Sequence, residues 1–154
     1  MEYHLNTAEL REAAPKLRAG DRVLLSGTIY TARDAAHKRF FELLDGGQPL
    51  PIPLEGAVIY YAGPTPGQQG MAVGACGPTT SSRMNKFAPR LLDLGLGAII
   101  GKGEMSAETA QAIVRNGFVT FSVIFMLAAG AAAPIFLFNK RAHSLTRAKK
   151  RVSK

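Results

Sequence analysis

The chain has 154 residues, 47% of them hydrophobic and 19% charged, which excludes a disordered segment and suits one domain with its own core. Its net charge of +8 is uneven: seven Lys or Arg and no acid fall between Asn139 and Lys154, a basic tail without the interleaved aromatics that stack on bases, so nucleic-acid binding is not expected. One cysteine, Cys76, excludes an intrachain disulfide and any Cys-rich metal site held by this chain alone, and a lone thiol fits a reducing cytoplasm.

In chain order, residues 1–20 read as a polar lead-in. Met1-Glu2-Tyr3-His4 has no basic-then-apolar pattern, so no secretory signal is expected. A short helical turn is expected around Ala8 to Leu17, interrupted at Pro15. Gly20-Asp21 turns the chain into a strand from Val23 to Ile29. A helix follows from about Ala32 to Leu44, with Ala35, Ala36, Phe40 and Leu43 or Leu44 near one face, and Gly46-Gly47 ends it. Three prolines between Gln48 and Glu55 argue for an extended loop. Ala57 to Tyr61 is a short apolar strand, and the Gly/Pro-rich loop Gly63 to Gly70 is a candidate lid or partner-facing surface.

Gly77-Pro78 then leads into four hydroxyl residues, Thr79, Thr80, Ser81 and Ser82, followed by Arg83. Ser and Thr favour helix starts, where free N–H groups and the dipole end attract anions. A helix from Ser81 to Leu94, bent at Pro89, is expected, then a strand from Gly97 to Ile100 and the turn Gly101-Lys102-Gly103. Ser106 caps a helix from Ala107 to Asn116 that Gly117 closes. Alternating strands and helices indicate an α/β domain. Arg33, Arg83 and Lys102, all at strand ends, form a candidate dicarboxylate cradle, because guanidinium forks stay charged and match carboxylate geometry. Cys76 reads as a small packing residue rather than a nucleophile.

Ser26-Gly27, Tyr30-Thr31-Ala32-Arg33-Asp34-Ala35-Ala36-His37, Tyr60-Tyr61-Ala62-Gly63-Pro64, Gly77-Pro78-Thr79-Thr80-Ser81, Arg83-Met84 and Ile100-Gly101-Lys102-Gly103 stand in continuous order. Together they closely resemble the class I fumarate hydratases and, more broadly, the β-type subunit or C-terminal domain of iron–sulfur hydro-lyases, which includes L-tartrate dehydratase. The resemblance spans roughly residues 15–117 and implies a swivelling β/β/α-type single domain. It also implies reversible hydration or dehydration of a C4 dicarboxylate, with a [4Fe–4S] cluster held by an α subunit, so the active form is a cytoplasmic hetero-oligomer. It assigns Thr80 as the proton-abstracting base, Arg33, Thr79, Arg83 and Lys102 to the substrate, and Asp34 and His37 to supporting roles. A surface position for His37 is the commoner outcome for a lone histidine.

From Phe118 the resemblance fades. Phe118 to Phe138 is a 21-residue run without a charge, in which Ala129-Gly130-Ala131-Ala132-Ala133 is the only echo of the family. The favoured reading is a core strand followed by an atypical or truncated C-terminal end, giving a domain over residues 1–138 and a basic tail over 139–154. The alternatives are a non-catalytic remnant and a tail-anchored membrane protein that uses the apolar run; a membrane role is disfavoured because strands of parallel sheets are also near-continuously apolar.

Overall fold

The computed structural model describes residues 1–122 and 135–136. Strands β1 (Glu2–Asn6) and β2 (Arg22–Ser26) run parallel, and β2 pairs antiparallel with β7 (Ile135–Phe136). A second sheet is wholly parallel, in the order β3 (Tyr30–Thr31), β4 (Val58–Tyr60), β5 (Ala98–Gly101), β6 (Val119–Ser122). Parallel neighbours need crossovers. These run through α2 (Asp34–Asp45) between β3 and β4, α3 (Ala88–Asp93) between β4 and β5, and α4 (Ala107–Asn116) between β5 and β6. A short α1 (Leu10–Ala13), flanked by 3-10 turns over Thr7–Glu9 and Ala14–Lys16, joins β1 to β2.

Alternation along β4 and β5 divides the core into two layers. Ile59 and Ile99 face one way and pack with Phe40, Leu91, Leu92 and Ile113 from the three long crossovers. Val58, Ala98 and Ile100 face the other way, against Leu10, Val23, Tyr3 and Leu5. Both faces of the sheet are therefore buried at β4 and β5, which explains why these two strands lack a polar side.

Three expectations need correcting. The segment Val23 to Ile29 is not one strand. Gly27 takes φ +106°, and a Cβ there would run into the Thr7 Oγ1 atom, so the chain turns after Ser26 and its next strand joins the other sheet. The lead-in contains β1, whose register pairs Tyr3 with Val23 and Leu5 with Leu25. The expected bent helix from Ser81 to Leu94 is two elements, a 3-10 turn at Ser81–Met84 and then α3 with Pro89 in its first turn. Proline in a helix interior removes a hydrogen bond and clashes with the preceding turn, but in a first turn its missing N–H costs nothing.

Helix α2 buries His37 and Phe40, while Ala35 is exposed. Helix α4 agrees with its expected bounds: Ser106 Oγ accepts from Thr109 N at 3.2 Å, and Gly117 closes it at φ +65°. The strand reading after Phe118 corresponds to β6, which pairs parallel with β5 from Ala98↔Val119 to Gly101↔Ser122. Most of the apolar run and the boundary at 138/139 lie outside the described residues. Among the described residues, no helix is long and apolar enough to cross a membrane.

Candidate functional site

Every strand-to-helix connection of a parallel sheet leaves from its carboxyl edge, so the residues that follow its strands gather there. Here β3 delivers Arg33 and Asp34, β4 delivers Tyr61 to Gly63, and β5 delivers Lys102. The segment Pro78 to Ser81 lies between the last two ends. Ala62 bridges Pro78, Thr79 N donates to Tyr61 O at 2.6 Å, Thr80 bridges Lys102, and Ser81 N donates to Lys102 O at 2.8 Å. Thr79 is half-buried and Thr80 exposed. Thr80 stands at the N-cap of the 3-10 turn, but its hydroxyl makes no capping bond, so that oxygen is not consumed by secondary structure.

Arg83 closes the group from the other side. Its Nε donates to Asp34 Oδ1 at 3.1 Å and its Nη2 to Asp34 Oδ2 at 2.6 Å. The guanidinium has five N–H donors in total, so this fork leaves donors for a second anion. Both partners are about half exposed (54% and 41%), and a pair in that setting contributes little stability. What it fixes is direction. Asp34 thus engages Arg83, not the neighbouring Arg33. The expectation that a helix N-terminus helps bind anions at Ser81 fails, because a four-residue 3-10 turn has almost no aligned dipole. Positive charge there comes from side chains.

Arg33 is exposed, and no acid among the described residues pairs with it. Its side chain lies against Gly63: a Cβ there would sit 2.6 Å from Arg33 Nε and 2.8 Å from Cζ. In the sequence Gly63 belongs to a motif and opens the candidate lid loop; its close approach to Arg33 is visible only in three dimensions. Gly63→Ala is expected to displace the Arg33 head without straining the backbone. In an active complex this should raise KM about tenfold and change unfolding free energy by no more than about 0.5 kcal/mol, as read from steady-state kinetics and urea melts.

His37 is not on the surface. It is fully buried, with Nδ1 3.0 Å from Arg33 O and the ring among Phe40, Tyr61 and Phe87. Burial holds its pKa below the ordinary 6.5, partly offset by the bond to Arg33. A proton therefore binds the unfolded chain more readily than the folded one. The neutral ring's contribution is complete above pH 6.5 and is lost as pH falls below that value toward the folded pKa. Urea midpoints should accordingly drop between about pH 7.5 and 5.5, and His37→Asn should flatten that part of the slope.

The sequence gives no signal for Tyr61 and Ser81, whose buried hydroxyls have no hydrogen-bond partner among the described residues. Ser81 Oγ presses on Gly101, where a Cβ would overlap it. Cys76 is half-buried, burial pushes its thiol upward, and its carbonyl accepts from Tyr60 Oη at 3.0 Å; this fits the packing role. Among the described residues, no group of three His, Cys, Asp or Glu could hold a metal ion. With a single cysteine in the sequence, the residues present do not fit a thiolate-held iron–sulfur cluster. A separate cavity of about 390 Å³, lined in part by Arg11, Thr28, Tyr30, Glu55, Gly97 and Phe118, lies at the opposite, amino end of the parallel strands.

Residues 1–143 match the family model described as Fumarase C-terminus. The putative L(+)-tartrate dehydratase subunit beta of Methanocaldococcus jannaschii is 36% identical over 138 residues, covering 88% of this chain and 68% of that protein. The L(+)-tartrate dehydratase subunit beta of Escherichia coli is 34% identical over 128 residues, with coverages of 81% and 61%. Fumarate hydratase 2 of Leishmania major is 36% identical over 128 residues, which cover 75% of this chain and 22% of that enzyme. The match thus takes in roughly two thirds of the tartrate dehydratase subunits and about a fifth of the fumarate hydratase.

Proposed function

The chain belongs to the fumarase C-terminus family, and on that premise we propose that it is the β-type subunit of a hydro-lyase acting on a C4 dicarboxylate such as fumarate, malate or tartrate. The observation that carries this reading is the convergence of Arg33, Thr79, Thr80, Arg83 and Lys102 on the carboxyl edge of one parallel sheet. The sheet's burial between a second sheet and a helical layer supports assignment to the swivelling β/β/α type.

In the proposed mechanism, Arg33 and Arg83 each take a substrate carboxylate, Asp34 holds Arg83 in register, and Lys102 supplies a point charge. Thr79 hydrogen-bonds the substrate. Thr80 Oγ, held as an alkoxide by the positive charge of Arg83 and Lys102, accepts the C–H proton in dehydration as the C–O bond on the neighbouring carbon breaks and hydroxide departs, and in hydration it returns the proton to carbon as hydroxide adds across the double bond. The [4Fe–4S] cluster that the resemblance implies does not fit this chain's residues and is assigned to an α-type partner, giving a cytoplasmic hetero-oligomer. No charge occurs between Glu55 and Arg83, and the exposed Met71 and Val73 sit in the loop rooted at the Ala62–Pro78 bridge. Charge depletion of this kind characterises interface cores, so that loop is the proposed partner-facing surface.

The test is anaerobic co-expression with a cysteine-bearing α-type chain, followed by assays with fumarate, malate and L-tartrate. Turnover of at least one by the complex, and of none by the isolated chain, is expected. An inactive complex, or an active isolated chain, would overturn the reading.

A further inference from the structure

We infer that His37 is a positioning residue, whose buried imidazole fixes the chain corner from which Arg33 and, through Asp34, Arg83 reach their ligand. The inference rests on the functional reading above and adds a role for a side chain that cannot itself touch substrate.

Arg33 caps α2, and its carbonyl accepts two bonds from one residue: His37 N at 2.9 Å and His37 Nδ1 at 3.0 Å. The first is the ordinary opening bond of a helix. The second is additional, and because a carbonyl only accepts, it assigns the ring proton to Nδ1. Together they hold the peptide joining Arg33 to Asp34. On one side of that peptide the Arg33 side chain rests on Gly63; on the other the Asp34 carboxylate forks onto Arg83. One buried ring therefore braces the origins of both guanidinium placements.

Packing alone does not account for a histidine here. Among the described residues its buried Nε2 has no partner, a cost that an apolar side chain of similar size would avoid. The ring sits among Phe40, Tyr61 and Phe87, where leucine or phenylalanine would fill the same space. What the imidazole supplies, and they do not, is the donor to Arg33.

The test compares His37→Asn with His37→Leu in the complex with the α-type chain. Asparagine places an amide donor near the Nδ1 position, while leucine has the same branching and no donor. His37→Leu should raise KM for fumarate and lower kcat, together reducing kcat/KM by about 10- to 100-fold, with a thermal midpoint no lower than that of His37→Asn. His37→Asn should recover to within about threefold of wild type. Equal losses in the two variants, or unchanged kinetics in His37→Leu, would overturn the inference. Should neither variant fold, the ¹⁵N spectrum of the wild-type imidazole decides: a proton on Nδ1 supports the inference and a proton on Nε2 overturns it. An inactive wild-type complex removes the functional reading and this inference together, whereas an active one indifferent to His37→Leu removes the inference alone.

Discussion

Replacing Arg83 with alanine in the complex is expected to lower kcat/KM for fumarate by about 10²- to 10³-fold while leaving stability nearly unchanged. The two halves of this expectation have separate causes. In the proposed site, the guanidinium binds one substrate carboxylate and stabilises the Thr80 oxygen, and hydrogen bonds to charged groups are worth about 1.5–3 kcal/mol each. Two such bonds, partly screened at a half-exposed position, correspond to the stated range. The ion pair with Asp34, by contrast, is 54% and 41% exposed, so losing it should cost the fold no more than about 1 kcal/mol. Arg83→Lys should fall between the two, since a single ammonium cannot keep the Asp34 fork and bind a carboxylate bidentately. Steady-state kinetics together with thermal melts separate these outcomes; full activity in Arg83→Ala would remove Arg83 from the site.

Ile99→Ala should do the reverse. Ile99 is fully buried in β5, opposite Ile59 of β4 and Thr120 of β6, with Leu91 and Ile113 in the same cluster. Removing its branched end leaves a cavity that neighbours on two strands and two helices cannot fill, and such deletions cost about 2–5 kcal/mol. At roughly 4 °C per kcal/mol the thermal midpoint should fall by about 8–20 °C. That is a large share of the whole stability of a domain this size. Below its new midpoint, the variant should keep kcat within about threefold of wild type, since the site lies beyond the strand ends.

Much of this was legible in the sequence. Ser106 and Gly117 announce both ends of α4 because a side-chain cap and a left-handed closing residue are local demands. Lys102 could be read for a similar reason: it follows the apolar run Gly97 to Ile100 across one glycine, and the edge of a parallel sheet gathers whatever follows its strands, whereas the strand that delivers Arg33 is the separate β3 and not the expected Val23 to Ile29. What could not be read were relations between distant segments. β1 is a strand only because β2 pairs with it twenty residues later. The turn at Gly27 reflects the crowding of Thr7. Asp34 stands beside Arg33 in sequence yet bonds Arg83, 49 residues away. His37 looks like any surface histidine until α2 is laid on the sheet, when its ring turns inward and takes the Arg33 carbonyl.

If cations at the strand ends hold two carboxylates at once, kcat/KM in the α-containing complex should separate fumarate from crotonate, which lacks the second carboxylate. A preference for fumarate of at least about 10³-fold, cut to less than about tenfold by Arg33→Gln, is the predicted result. Comparable turnover of the two acids by the wild-type complex would contradict it.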